Sequence, residues 1–183
     1  MYIDPTVYQG RPSDDRIPQE LAVYDKLEEL GISFTRVDHD HADTMEDCLL
    51  IERTLGARIC KNLFLCNRQQ TDFYLLMMPG DKPFKTKELS HQLGIARLSF
   101  ASPEDMEQYL DCTPGSSSIM GLANDTENKV QLLMDEDVKK GEYLGCHPCI
   151  NTSSLKIKTA DLTEKFLPAV HHSYITVDLP WED

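Results

Sequence analysis

A lysine interrupts an apolar stretch at residues 59–65, where the sequence reads Ile-Cys-Lys-Asn-Leu-Phe-Leu. A full positive charge in the middle of an apolar strand is costly unless the charge is paired or lies at the end of the sheet. Lys61 is therefore either a functional cation that faces a substrate or a strand-end lysine whose amine extends to water. The residues by themselves leave both interpretations open.

A loop of small residues, Thr113-Pro114-Gly115-Ser116-Ser117-Ser118, is the second candidate. Small residues after Pro-Gly let a ligand approach backbone N–H groups, which can form a cradle for an anion or an oxyanion. The serines also suggest a nucleophile, but the sequence lacks the G-x-S-x-G elbow of serine hydrolases. A plain turn would have much the same composition, so function and turn remain alternatives here.

The third candidate is Cys146-His147-Pro148-Cys149, followed by Asn151. His147 can supply a polar contact in a site, although a single histidine is more often structural. The C-x-x-C spacing fits a redox pair or half of a zinc site, but zinc needs four ligands and no second paired motif is present. We expect reduced thiols that pack as small apolar side chains, and neither a metal nor a cofactor.

A basic cluster forms the fourth candidate, in a chain that is otherwise strongly acidic. The 183 residues include 18 Lys and Arg against 31 Asp and Glu, a formal net charge of −13. This balance excludes a nonspecific nucleic-acid coat, which depends on neutralisation of phosphates by a basic surface. The cluster can face phosphates locally, or it can be an ordinary solvated helix face. Its members are Lys82, Lys85, Lys87 and Arg97.

The elements that must position these residues are interspersed helices and strands. Apolar periodicity and helix start and stop signals predict helices at 18–30, 44–55, 85–93, 103–110 and 161–167. Alternating or continuous apolar runs predict strands at 32–37, 59–66, 73–78, 98–100, 130–134, 155–157 and 174–179.

A hairpin between 59–66 and 73–78 excludes a purely parallel, doubly wound sheet. We predict a single α+β domain with a mixed, mostly antiparallel central sheet flanked by helices. Residues 1–17 are predicted to form an irregular arm, and residues 18–183 the globular domain. No apolar run approaches the length of about 18 residues that spans a bilayer, and the N-terminus does not resemble a signal peptide. We therefore expect a cytoplasmic protein without a membrane partner.

Taken together and in this order, the segments resemble the YbaK/prolyl-tRNA-synthetase-associated editing domains, in particular the freestanding prolyl-tRNA deacylases of the ProX type. The matching stretches are 56–65, 114–118, His147-Pro148 with Asn151, and 157–162, within about residues 19–167. The resemblance implies the fold described above and hydrolysis of the ester of mischarged tRNA(Pro), typically Ala-tRNA(Pro). It also implies that the tRNA acceptor end is the substrate, with prolyl-tRNA synthetase as a potential partner.

The resemblance further implies roles for single residues. Lys61 is expected to hold the 3′-terminal adenosine or its phosphate and to orient the ester. Gly115 is expected to contact the aminoacyl carbonyl or its developing oxyanion through its backbone, while a water attacks without a covalent enzyme intermediate. The pocket is expected to include Ser116, Ser117, Ser118, His147 and Asn151, and the tRNA contacts Lys82, Lys85, Lys87 and Arg97.

The chain departs from the family pattern in its glycine loop. The motif G-x-x-x-P begins at Gly115 and requires proline where this chain has Ile119. The departure motivates an alternative of another class, a noncatalytic binder of aminoacyl-tRNA or of an amino acid that serves as a regulator. A thiol or zinc protein that uses Cys146 and Cys149 is a third hypothesis.

Overall fold

A computed structural model describes residues 1–113 and 115–182, so Pro114 of the small-residue loop and Asp183 lie outside the described residues. The strands are β1 Tyr8–Gln9, β2 Phe34–Asp38, β3 Cys60–Cys66, β4 Phe73–Pro79, β5 Ser99–Phe100, β6 Val130–Asp135, β7 Tyr143–Cys146, β8 Ser153–Lys158 and β9 Tyr174–Val177. The helices are α1 Pro18–Glu29, α2 Met45–Leu55, α3 Thr86–Leu93, α4 Pro103–Leu110, the 3-10 helix Ile119–Asn124, α5 Glu136–Lys140, α6 Thr159–Asp161, the π-helical segment Leu162–Phe166 and α7 Leu167–Ala169.

The strands form two sheets instead of the one central sheet that was predicted. One sheet has the order β1-β2-β8-β7 and the other the order β5-β3-β4-β6-β9. Neighbouring strands are antiparallel except for the parallel pairs β4–β6 and β6–β9. The predicted α+β class and the mixed, mostly antiparallel pairing are therefore confirmed.

Both sheets pack against a common core, and the five-stranded sheet is covered on its other face as well. Phe34 and Leu155 of the first sheet share this core with Phe64 and Leu75 of the second. On the opposite face of the five-stranded sheet, Leu76 packs in a separate cluster with α3. Burial on both faces explains why β4 is a continuous apolar run without alternation.

Helix α2 packs on the outer face of the four-stranded sheet and begins and ends where the sequence predicts. The Thr44 hydroxyl accepts a hydrogen bond from the Asp47 N–H at 3.0 Å, and the Asp47 carboxylate accepts one from the Thr44 N–H at 3.2 Å. This reciprocal pair satisfies N–H groups that a helix start leaves open. Gly56 ends the helix at φ +76°, a left-handed conformation that glycine adopts without steric cost.

The arm predicted at residues 1–17 is mostly irregular, but it is attached to the four-stranded sheet. β1 pairs with β2, and Arg16 contacts the Asp38 carboxylate at 3.1 Å. Burial acts to raise the pKa of Asp38, but hydrogen bonds from Arg16 and Arg36 outweigh it and lower that pKa to about 2. The boundary between arm and domain stays a prediction. Among the described residues, none of the helices is both long enough and apolar enough to cross a membrane.

Candidate active site

A pocket of about 190 Å³ lies where β3 meets the start of α2 and the loops around residues 115–118 and 147–151. Its walls combine polar groups with small and apolar side chains. The lining residues are Ala42, Met45, Cys48, Ile59, Cys60, Lys61, Asn62, Gly80, Gly115, Ser117, His147 and Asn151. The pocket gathers candidates from three separate parts of the sequence. Pockets that enclose drug-sized ligands start near 300 Å³, so this one suits a group of amino-acid size.

Gly145 brings the third candidate segment beside β3. Its N–H donates to the Arg58 carbonyl at 2.8 Å, and Ile59 forms an isolated parallel bridge with it. A Cβ at this position would lie 2.8 Å from the Ile59 side chain, closer than real Cβ contacts allow. A larger residue would displace the Ile59 side chain and crowd the Arg58 carbonyl at 3.2 Å, so glycine suits the position where the two sheets meet. This close approach places His147 on the same pocket as Lys61.

Lys61 lies near the start of β3 with its side chain only partly exposed. Its Nζ donates a hydrogen bond to the backbone carbonyl of Lys82 at 2.5 Å. Burial lowers the pKa of Lys61, and the nearby Asp81 carboxylate opposes that shift. The ammonium is thus held at the wall of the pocket by a fixed carbonyl dipole, which orients it towards any anionic or carbonyl group that enters.

Lys82 is fully buried, so the expectation that it contacts tRNA is wrong. Its Nζ donates to the two carboxylate oxygens of Asp135 at 3.0 and 2.9 Å and to the Leu179 carbonyl at 2.7 Å, and it lies 2.8 Å from Asp137. Burial acts to lower the pKa of Lys82, but hydrogen bonds with Asp137 and Asp135 outweigh it and raise that pKa. The buried charge is therefore paired, as the cost of desolvation requires. Lys82 fixes the turn whose carbonyl holds Lys61.

The C-terminal tail closes over this ion pair. The Trp181 indole N–H donates to the Asp137 carboxylate at 2.9 Å. The same ring lies 4.9 Å from Lys82 Nζ and 5.4 Å from the Arg58 guanidinium, both within the range of cation–π attraction. The tail thus shields the Lys82 network from water, and the network in turn supports the turn behind Lys61.

Gly115 adopts φ +80°, a conformation that favours glycine, and leaves its backbone close to an unpredicted histidine. A Cβ on Gly115 would lie 4.0 Å from the ring of His41. The His41 Nδ1 contacts the Asp43 carboxylate at 2.8 Å. Sequence reasoning missed His41, although the run His39-Asp40-His41 could have drawn notice as a cluster of polar groups before α2.

The serines of the loop hold it in place, and only Ser117 also lines the pocket. The Ser117 hydroxyl donates to the Asn62 carbonyl at 2.9 Å. The buried Ser116 hydroxyl donates to the Thr113 carbonyl at 2.7 Å, and the buried Ser118 hydroxyl donates to the His147 carbonyl at 2.6 Å. The expectation that Ser116 and Ser118 contact substrate is therefore corrected, because their hydroxyls are used inside the protein.

His147 is held as a neutral ring. Its Nδ1 lies 2.9 Å from the Ser153 carbonyl, so Nδ1 carries the proton and Nε2 is left as an acceptor. Burial lowers the pKa of His147 to about 4, while the bond to Ser153 opposes this effect. At neutral pH the ring adds no charge to the pocket and can accept one hydrogen bond from a ligand.

Asn151 fixes the chain that leads into α2. Its amide donates to the Ala42 carbonyl at 2.8 Å, and its side-chain oxygen accepts the Ala42 N–H at 3.4 Å. The side chain is 3% exposed and also lies 3.4 Å from His41. Asn151 thereby links the third candidate segment to the pocket wall that begins at Ala42. Met45 and Cys48 also belong to this wall, and the sequence analysis did not predict their contribution.

Cys60, Cys146 and Cys149 are buried thiols near the pocket, whereas Cys48 in the pocket wall is half-buried. Burial raises the pKa of Cys60 to about 12 and raises the pKa of Cys146 further. A hydrogen bond with Cys112, together with burial, raises the pKa of Cys149 well above its ordinary value. Since the thiolate is the reactive form, these side chains are poor nucleophiles at neutral pH. In the described parts of the chain, no group of three or more His, Cys, Asp or Glu could hold a metal.

The other members of the basic cluster lie outside the pocket. Lys85 precedes α3, Lys87 is exposed in the first turn of that helix, and Arg97 is exposed just before β5. Lys87 belongs to α3, which packs on one side of the five-stranded sheet. Their contact with tRNA stays a prediction.

Comparisons with known proteins add to this geometry. Residues 39–165 match the family model of the aminoacyl-tRNA editing domain. The prolyl-tRNA editing protein ProX of Acetoanaerobium sticklandii is 31% identical over 158 residues, which cover 86% of this chain and 96% of that protein. The prolyl-tRNA synthetase associated domain-containing protein 1 of Danio rerio is 30% identical over 149 residues, 80% of each chain.

A solved structure has the same fold. The crystal structure of a candidate trans-editing enzyme for prolyl tRNA synthetase superposes with a TM-score of 0.66 and 15% identity, covering 91% of this chain and all of that one. At this identity the likeness concerns the arrangement of the elements. It agrees with the two sheets and flanking helices described above.

Proposed function

The chain belongs to the aminoacyl-tRNA editing domain family, and from this premise we propose that it is a trans-editing deacylase that hydrolyses mischarged tRNA(Pro), with Ala-tRNA(Pro) as its preferred substrate. The main support for this proposal is the pocket that brings Lys61, Gly115 and His147 together. The names of the similar proteins, which refer to prolyl-tRNA editing and to prolyl-tRNA synthetase, support the choice of tRNA.

In the proposed reaction a water attacks the carbonyl carbon of the aminoacyl ester. The carbonyl oxygen becomes an oxyanion, the bond from that carbon to the ribose oxygen breaks, and the ribose oxygen takes up a proton as the amino acid leaves. We assign the backbone of Gly115 to the oxyanion, because its left-handed turn leaves space on the pocket side. Donors aimed at a developing oxyanion are commonly the largest contribution to such reactions.

Lys61 and His147 are assigned to the two ends of the substrate. The Lys61 ammonium, held by the Lys82 carbonyl, would bind the terminal adenosine or its phosphate and align the ester. The free Nε2 of neutral His147 would accept a hydrogen bond from the α-amino group. Asn151 and Ser117 would keep the two loops in register through their bonds to Ala42 and Asn62.

The proposed preference for alanine rests on an argument from size. A synthetase site built for proline cannot strongly reject a smaller amino acid, because each missing methylene changes binding by only about 1–3 kcal/mol. A second site that admits alanine and excludes proline would complete the selection, and Met45 and Cys48 lie in the wall of the pocket. These two residues are our candidates for the size limit.

The serine contacts also explain how the loop can work without the family proline. Ile119 is fully buried and begins the 3-10 helix, which the Ser118 hydroxyl caps by accepting the Met120 N–H at 3.1 Å. The Ser117 hydroxyl donates to the Asn62 carbonyl and the Ser118 hydroxyl to the His147 carbonyl, so two contacts tie the end of the loop that precedes Ile119 to other segments. Hydrogen bonds can thus supply the rigidity that a proline supplies elsewhere in the family.

Purified protein tests the proposal directly. We expect it to release alanine from Ala-tRNA(Pro) and to spare Pro-tRNA(Pro). Lys61→Ala should lower the rate at least tenfold, about 1.4 kcal/mol of transition-state stabilisation, while Lys129→Ala, an exposed lysine outside the pocket, should match the wild type. Equal rates for Lys61→Ala and the wild type would remove Lys61 from the mechanism.

The departure at Ile119 keeps the noncatalytic binder as a second candidate. Binding of charged tRNA without release of any of the amino acids tested would favour that regulator over the enzyme.

We further propose that the protein acts in the cytoplasm, where its substrate is made, and that prolyl-tRNA synthetase is a partner. Co-purification of the two proteins tests the latter point.

A further inference from the structure

Phe100 is the most exposed of the large apolar side chains in the part of the chain that the structure describes, at 65%. It lies on β5, a two-residue strand at the edge of the five-stranded sheet. An aromatic ring that loses this little surface on folding contributes little to the core, because stabilisation scales with the apolar area removed from water. The position therefore calls for a reason other than packing.

Phe84 supports this exposed ring from below. The two ring centroids lie 6.0 Å apart at an interplanar angle of 64°, an edge-on arrangement that aromatic pairs favour. Phe84 is partly buried and packs, with Leu63, against the cluster under α3. Phe100 thus packs against a ring that is itself anchored to the core cluster. We call the pair Phe84 and Phe100 the aromatic platform.

The platform lies on the same face of the sheet as Lys61. Phe100 is paired with Leu65, which is four residues along β3 from Lys61, so all three point to one face. At about 3.4 Å per residue, Lys61 and Leu65 are separated by about 14 Å along the strand. Phe84 lies two residues after Lys82, whose backbone carbonyl accepts the hydrogen bond from the Lys61 ammonium.

Basic residues lie close to the platform residues in the sequence, although the chain as a whole is acidic. Lys85 directly follows Phe84, Lys87 lies two residues further on, and Arg97 precedes β5 by two residues. Lys87 and Arg97 are both exposed. Cations that alternate with exposed aromatic rings are the arrangement that binds single-stranded nucleic acid, since bases stack on the rings while phosphates meet the cations.

We propose that the aromatic platform stacks the unpaired bases that precede the terminal adenosine of the substrate tRNA, with Lys87 and Arg97 facing the phosphates that join them. This inference rests on the proposed function, because it takes the terminal adenosine to be at Lys61. An extended single strand that starts there would cross the platform within a few nucleotides. A small footprint of this kind also agrees with a net charge of −13, which disfavours broad contact with RNA.

Two substrates that share the same ester distinguish the platform from the pocket. One is Ala-tRNA(Pro) and the other is alanyl-adenosine, which lacks the preceding nucleotides. Phe100→Ala should raise KM for the tRNA about tenfold, because stacking contributes on the order of this factor per base. The same variant should cleave alanyl-adenosine at the wild-type rate. Phe100→Leu should raise KM for the tRNA as Phe100→Ala does, whereas Phe100→Trp should keep the wild-type KM. The two variants differ because stacking needs an aromatic ring and not only an apolar side chain.

A binding experiment keeps the inference testable if no ester is hydrolysed. A fluorescent RNA tetranucleotide with the sequence ACCA should bind the wild type, should bind Phe100→Ala about tenfold more weakly, and should bind Tyr143→Ala as well as the wild type. Tyr143 is the matched control because it is an exposed aromatic residue on the other sheet. Equal affinity of the wild type and Phe100→Ala overturns the platform. A wild-type dimer that Phe100→Ala converts to a monomer, with unchanged RNA affinity, also overturns it and assigns the rings to a protein interface.

Discussion

Substitution of Lys82 by methionine should destabilise the protein strongly, although lysine is ordinarily a surface residue. The side chains of Lys82 and Asp135 are both 0% exposed and form a two-point hydrogen-bonded ion pair. Lys82→Met leaves the Asp135 carboxylate buried without its cation. Loss of one partner of a buried pair costs about 3–5 kcal/mol, a large part of the 5–15 kcal/mol that stabilises a typical domain.

Urea unfolding and thermal melting measure this cost. For a chain of this size 1 kcal/mol shifts Tm by about 2–4 °C, so the melting temperature of Lys82→Met should fall by about 6–20 °C. The control is Asp137→Asn, which also contacts Lys82 but is 30% exposed, and it should cost at most about 1 kcal/mol. The double variant Lys82→Met/Asp135→Asn should recover at least half of the loss, because no buried charge is then left unpaired.

Deacylation should also suffer in Lys82→Met at temperatures where the variant is folded. The turn that presents its carbonyl to Lys61 would be less firmly held, and a displacement of about 1 Å at a reacting group can cost up to about 100-fold in rate. A loss of stability below about 1 kcal/mol would refute the buried pair. A stable Lys82→Met variant with full activity would refute both the pair and its part in orienting Lys61.

Two further predictions concern the pocket. The pKa of His147 is about 4 in the folded protein against 6.5 for the free side chain, so the unfolded chain takes up the proton first as pH falls. The free energy of unfolding should therefore decline between pH 6.5 and about pH 4. Urea unfolding at several pH values should show a shallower decline for His147→Gln than for the wild type. Met45→Ala should widen the pocket and lower the preference for Ala-tRNA(Pro) over Pro-tRNA(Pro) at least fivefold in a deacylation assay. The control is Leu49→Ala, because Leu49 is about as exposed on α2 but lies outside the pocket. This variant should keep the wild-type preference.

Local patterns in the amino-acid sequence were enough to predict the main helices and strands and most of the pocket candidates. Helix α2 could be bounded because Thr44, Asp47 and Gly56 act through contacts within a few residues of one another. Lys61 could be singled out because one charge in an apolar strand violates the ordinary pattern of burial. Short elements escaped notice, among them β1 and β7, since two to four residues carry too little periodicity to detect.

Which polar groups line the pocket and which bond inside the protein depends on contacts between distant segments, so it became visible in the folded structure. Lys82 and Lys87 look alike in a charged cluster, yet one is buried against Asp135, which is 53 residues away in the sequence, and the other is exposed. The hydroxyl of Ser118 likewise donates to the backbone carbonyl of His147, which is 29 residues away in the sequence. Because a charge or hydroxyl is stabilised by partners that the fold brings from elsewhere, its role depends on packing between segments that no local pattern encodes.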